Sequence, residues 1–153
     1  MHETEALHIR RLTAEDLEPL HRLLSDPAVM RYLEPPFTRA QTEAFLQKAG
    51  MGREPLIRAV EDGRGFAGYV IYHPYDETSM ELGWVLASDR WGRGYALALT
   101  RQMICRARES GRDAVIECHP QQAATRHIAE KLGFRPCGMD GGCCVYRLAG
   151  KNE

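Results

Sequence analysis

The chain has 153 residues, 44% hydrophobic and 27% charged, the make-up of one ordinary globular domain able to bury roughly 68–70% of its unfolded surface. A formal net charge of −1 offers no broad field for nucleic acid or an anionic membrane, and no apolar run approaches the ~20 residues of a membrane span. Met1-His2-Glu3-Thr4-Glu5 lacks a basic-then-apolar export pattern, so a cytoplasmic protein is expected. The five cysteines are odd in number and lack Cys-x-x-Cys spacing; reduced thiols and no metal site are expected.

Ala6 to Leu12 reads as a first strand. Thr13-Ala14-Glu15-Asp16 then opens a helix, with Thr13 as N-cap, acidic residues in the first turn, and Leu17, Leu20, Leu23 and Leu24 as the apolar stripe. Asp26-Pro27 stops it. Thr38-Arg39-Ala40-Gln41 has capping-box form and starts a second helix, which Gly50 ends. Leu56 to Val60 and Phe66 to Tyr72 form a strand pair across Asp62-Gly63-Arg64-Gly65, and Met80 to Ala87 is the next strand. A third helix from Leu97 to Arg112 buries Ala96, Leu99, Met103, Ile104 and Ala107 and turns Arg101, Arg108 and Arg112 outward. Ala114 to Cys118 is a short strand, Gln122 to Leu132 a fourth helix closed by Gly133, and Phe134–Gly138 with Cys143–Leu148 a terminal hairpin.

The stretch from Glu81 to Ala96 carries the most chemistry. A buried strand runs into a turn punctuated by Gly92 and Gly94, and a helix follows at once. Two glycines let backbone approach a ligand closely, and the first-turn amides of a helix have no intrahelical acceptor. With the helix dipole they make an anion site suited to a phosphate or pyrophosphate.

Trp91-Gly92-Arg93-Gly94-Tyr95-Ala96 resembles the pyrophosphate loop of the GNAT acetyltransferase superfamily, Arg/Gln-x-x-Gly-x-Gly/Ala, with Trp at the usual Arg/Gln position. In its Trp-Gly-x-Gly-Tyr-Ala form it is similar to the RimJ/RimL branch, which acetylates ribosomal-protein N-termini and, in relatives, small amines. A second block, Gln122 to Phe134, is similar to the family segment Asn-x-x-Ser-x-x-x-x-Glu-Lys-x-Gly-Phe, with Gln for Asn and Thr125 for Ser. The resemblance covers nearly the whole chain. It implies a single domain over residues 1–153 with a mixed α/β fold: a mostly antiparallel twisted sheet of about seven strands, four flanking helices, and a splayed fourth and fifth strand. A homodimer is the family's common habit.

The resemblance also implies site roles. Trp84, Val85 and Leu86 would meet the pantetheine arm of acetyl-CoA, and Arg90, Trp91, Gly92, Arg93, Gly94, Tyr95 and Ala96 its pyrophosphate, with Gln122 and Thr125 also on the cofactor side. Acetyl transfer needs a neutral amine, while an alkyl amine has a pKa of about 10.4, so a group must accept a proton. Glu81 lies in the strand where family members place a base glutamate; His73, Glu117 and His119 are alternates. A tyrosine acid common on the fourth helix falls at Ala129 and is absent. Thr125 matches the serine of RimL-type relatives and would hydrogen-bond the leaving sulfur. Cys118 offers a covalent acetyl-cysteine route as an alternative to burial in the strand.

The resemblance implies that the segment from Asp26 to Phe37, which links the first two helices, walls the acceptor site. Tyr32 and Phe37 would be apolar walls there, Glu34 would attract a cationic amine, and His119 stands near a strand end. The expected activity is acetyl-CoA-dependent N-acetylation of a primary amine (a small amine, an antibiotic-like amine or a protein N-terminus) by direct attack. The alternative is a catalytically weak acyl-CoA-binding regulator.

Overall fold

The structure, a computed structural model, describes residues 7–150. Seven strands form one sheet in the order β1-β2-β3-β4-β5-β7-β6. They are β1 (His8–Arg10), β2 (Ile57–Asp62), β3 (Gly65–Asp76), β4 (Ser79–Leu86), β5 (Asp113–Cys118), β6 (Arg135–Asp140) and β7 (Cys143–Leu148). The helices are α1 (Leu17–Leu24), α2 (Pro27–Met30), α3 (Arg39–Phe45), α4 (Tyr95–Glu109) and α5 (Ala123–Lys131). The expected mixed α/β architecture is present.

The chain divides into two compact units, Met1–Ile71 with Trp84–Tyr95, and Tyr72–Gly83 with Ala96–Glu153. In the first, β2 pairs antiparallel with β1 and with the start of β3, and Leu20, Leu23, Leu24, Met30, Leu46, Ile57, Ala59 and Val85 build the core. A β3 bulge opposite Val60/Glu61 brings Gly68 so close to β4 that a Cβ there would lie 2.1 Å from the Val85 carbonyl oxygen. Only glycine permits that approach at its φ of +146°. In the second unit β4 pairs parallel with β5 from Ser79↔Asp113 to Glu81↔Val115, and the ladder stops there although both strands continue. β5 continues its pairing on the other side, antiparallel with β7.

Several expected boundaries move. The predicted first strand narrows to His8–Arg10, and its start at Ala6 lies outside the described residues. Asp26-Pro27 ends α1 but also begins α2, a fifth helix: the Asp26 side chain accepts the Ala28 N–H and Pro27 occupies the first turn. Thr38 and Gln41 form the expected capping box, but the helix passes into a π-helical turn at Leu46–Gly50. β3 extends through Pro74 to Asp76 rather than ending at Tyr72. α4 ends at Glu109 and buries Leu99, Met103, Ile104 and Ala107, whereas Ala96 is only half-buried. All five cysteines are free.

Candidate active site

In the first unit β4 delivers the chain to the glycine loop. The Ala87 N–H donates to the Ala67 carbonyl at 2.9 Å, and a 3-10 turn over Ser88–Arg90 follows. Arg90 then points inward. Its Nε and Nη2 donate to Asp62 at 2.8 and 3.2 Å, Nη1 to Asp89 at 3.0 Å, and Nη2 also to the Phe66 carbonyl at 3.4 Å. Every nitrogen of that guanidinium is therefore engaged. Trp91 is half-exposed and donates its indole N–H to the Leu86 carbonyl at 3.0 Å. Gly92 and Gly94 have φ of +75° and +81°, and a Cβ at Gly92 would meet nothing within 4 Å.

Arg93 is exposed, with Nε on the Asp89 carbonyl at 3.2 Å, and Tyr95 is buried with its hydroxyl on Asp62 Oδ2 at 2.8 Å. An open loop with positive-φ glycines leading into α4 fits a pyrophosphate held by backbone amides. Val85 and Leu86 are buried and Trp84 half-buried. The side chain of Arg90 is committed inside the protein, so it can serve the loop only through backbone or as an anchor.

The expected acceptor wall also lies in this unit. Phe37 packs edge-on against Phe45 at 5.9 Å, at the margin of the core, and its N–H donates to the Leu24 carbonyl. Tyr32 is half-buried beneath the Arg31 guanidinium, 5.0 Å from its ring centroid. Glu34 is exposed, and its charge adds to burial in pushing the Tyr69 phenol above its ordinary value. Tyr69 is itself a buried core residue, its ring 5.9 Å from that of Phe45.

The second unit gathers the titratable groups. Glu81 is half-buried, with Oε1 3.9 Å from His73 Nε2. His73 Nδ1 lies 2.9 Å from the Pro74 carbonyl, so that nitrogen donates and Nε2 is turned to Glu81. Desolvation raises the Glu81 carboxyl above the ordinary value, His73 opposes the rise, and the Glu117 charge adds to it. Tyr75 donates its hydroxyl to Glu117 Oε2 at 2.6 Å and is thereby pushed up to about 12. Burial, then the charges of Glu117, Asp140 and Glu81 among others, raises the Cys143 thiol. His73, Tyr75, Glu81, Glu117 and Cys143 thus share one electrostatic neighbourhood. Tyr75 is the member that sequence reading leaves on a loop; β3 reaching Asp76 is what brings it in.

On α5, Thr125 is half-buried, and its side chain makes no hydrogen bond among the described residues. Gln122 uses Oε1 to accept the His119 N–H at 2.8 Å, and His119 Nδ1 accepts the Gln121 N–H at 3.0 Å. Gln122 therefore ties down the turn before α5 and retains its amide NH₂ and one oxygen lone pair for a ligand. Ala129, where the family tyrosine would fall, is fully buried. The Tyr146 hydroxyl on β7 lies 3.0 Å from Arg126 Nε and 3.4 Å from Glu130. Burial raises the Cys118 thiol to about 11.

The family model for the acetyltransferase (GNAT) domain matches residues 6–135. An uncharacterized N-acetyltransferase, YnaD, of Bacillus subtilis is 26% identical over 145 residues, covering 92% of this chain and 85% of that protein. Among solved structures, a GNAT-family acetyltransferase from Bacillus anthracis superposes with a TM-score of 0.80 at 25% identity, over 95% of both chains. A spermidine N-acetyltransferase from Vibrio cholerae, in complex with CoA and spermine, superposes with a TM-score of 0.75 at 22% identity, over 94% of both chains. With its fold, its loop and this match over most of its length, the chain belongs to the GNAT acetyltransferase family and is an N-acetyltransferase.

Proposed function

We propose that the enzyme holds acetyl-CoA on residues 84–96 and acetylates a cationic primary amine by direct attack, as a cytoplasmic member of the RimJ/RimL-like branch. The observation that carries this reading is Glu81, a half-buried carboxylate with a raised pKa, facing His73. Acetyl-CoA supplies an activated acyl group whose thiolate leaves readily, since thiols have pKa values near 8.5. The acceptor arrives as an ammonium. Glu81 takes one proton directly or through water, and the neutral nitrogen attacks the thioester carbonyl. As the N–C bond forms and the C–S bond breaks, the nitrogen loses its second proton, which balances the departing thiolate as the thiol. The Thr125 hydroxyl, with no protein partner among the described residues, donates a hydrogen bond to that sulfur.

The acceptor class follows from charge. Glu117 and Asp140 both act electrostatically on Tyr75 and Cys143, which favours a cation beside them. A polyamine, an aminoglycoside or a basic peptide meets that requirement, and the Vibrio neighbour is named for a polyamine. The test is thiol release from acetyl-CoA across these three amine classes, for wild type and Glu81→Gln. Turnover with one class, lost in the variant, supports the reading. CoA binding without turnover of any amine would instead make the protein an acyl-CoA-binding regulator.

A further inference from the structure

We propose that Asp62 is a positioning residue for the cofactor loop, holding both of its ends from a single buried carboxylate. The proposal rests on the reading that residues 90–96 hold the pyrophosphate. Four residues, Trp91 to Gly94, separate Arg90 from Tyr95. Those two flanking side chains converge on Asp62: Arg90 Nε and the Tyr95 hydroxyl both donate to Oδ2 at 2.8 Å. Oδ1 accepts Arg90 Nη2 at 3.2 Å and the Arg64 N–H at 2.8 Å, and the latter fixes the carboxylate on the turn after β2. The Asp62 side chain is 2% exposed and that of Arg90 9%.

A loop with two positive-φ glycines is intrinsically loose, and backbone amides that must be ordered by the ligand cost binding energy. Anchoring both ends removes much of that cost in advance. The arrangement is a poor device for stability alone, because a buried ion pair rarely outperforms an apolar pair of the same volume. What it supplies is a fixed geometry. Arg90 has no free nitrogen for a phosphate, so its effect on the cofactor passes through Asp62 and the loop backbone.

The experiment compares wild type, Asp62→Asn and Tyr95→Phe in CoA titration and in steady-state turnover with acetyl-CoA and with acetyl-pantetheine, which lacks the pyrophosphate. The expected result for Asp62→Asn is a rise of about tenfold in the CoA Kd and in KM for acetyl-CoA, as befits a lost charge-assisted bond, with kcat/KM for acetyl-pantetheine held within about twofold. Tyr95→Phe deletes one hydroxyl and is expected to weaken CoA binding by about threefold; it serves as the test should Asp62→Asn fail to fold. Folded variants with unchanged CoA affinity, or with equal losses toward both thioesters, overturn the proposal. Gly94→Val separates the two levels. If it abolishes CoA binding while the Asp62 and Tyr95 variants bind normally, only the positioning role fails; if it binds CoA normally too, the loop reading fails with it.

Discussion

Glu81 and His73 face one another across adjacent strands, Oε1 to Nε2 at 3.9 Å, with the other imidazole nitrogen on the Pro74 carbonyl. The carboxyl is raised by desolvation against the opposing pull of His73. As the proposed base, Glu81 must be ionised to work, so kcat/KM is expected to rise with pH through an apparent pKa above the ordinary glutamate value of about 4.3. Glu81→Gln should lower kcat by about 10²- to 10⁴-fold, abolish that limb and leave CoA affinity unchanged. A pH–rate profile beside a CoA titration checks both parts. An intact limb in the variant assigns the base elsewhere.

Glu117 tunes this group. Its negative charge raises the Glu81 carboxyl, and it is held by the Tyr75 hydroxyl at 2.6 Å. Tyr75 itself is raised to about 12 and so stays protonated, and a donor, through the working range. Glu117→Gln removes a like charge, and the acid limb should move to lower pH. A limb that stays in place, or moves up, separates Glu117 from Glu81 energetically.

Local signals are legible in the sequence and long-range ones are not. The Thr38/Gln41 capping box and the leucine stripe of α1 appear where their spacing puts them, because both interactions close within one or two turns. Asp26-Pro27 is expected only to stop α1, whereas the chain also uses it as an N-cap followed by a first-turn proline. The expected strand stops at Tyr72, yet β3 runs on through Pro74 to Asp76, and Tyr75 and its Glu117 contact lie in that extension. Asp62 reads as a hairpin residue. Its partners, Arg90 and Tyr95, are 28 and 33 positions away, beyond any periodicity. The positive-φ turn at Gly92 and Gly94 is readable because glycine announces such a backbone conformation in the sequence.

Gly68 is the position at which the end of β4 tolerates no side chain. A Cβ there would stand 2.1 Å from the Val85 carbonyl oxygen and 2.9 Å from Leu86 Cα, at a φ of +146°. Backbone cannot yield as a flexible side chain can. Gly68→Ala should therefore cost about 2–4 kcal/mol and lower Tm accordingly, measured by denaturant and thermal unfolding. A loss within about 0.5 kcal/mol, the scale of a neutral surface change, would contradict the close approach.

Cys118 is buried in β5 opposite Cys144, with its thiol raised to about 11 by desolvation first. Only the thiolate is a competent nucleophile, so an acetyl-cysteine route through this residue is disfavoured. Cys118→Ala is expected to retain turnover within about threefold, since it deletes one small apolar group from the strand. Intact-mass measurement of wild type quenched during turnover should show no acetyl adduct on the Cys118 peptide. An adduct formed at the rate of turnover would reinstate the covalent path.

The Asp62 cluster also fixes a pH dependence of stability. The Arg90 guanidinium, with the Arg64 N–H and Tyr95 hydroxyl, outweighs desolvation and holds the Asp62 carboxyl well below the usual carboxylate range. Between that depressed value and the unfolded value of about 3.9, the unfolded chain binds more protons than the folded one, so stability rises with pH across the window. The contribution is complete above about pH 4 and is lost as pH falls through the folded pKa. An asparagine in its place cannot titrate. The Tm difference between wild type and Asp62→Asn should accordingly be constant from neutrality to about pH 4 and shrink below it, while carboxylates common to both proteins cancel. Thermal scans of the pair at matched ionic strength measure this directly. A difference that holds steady at low pH would mean that Arg90 and its neighbours do not lower the Asp62 pKa in the folded enzyme.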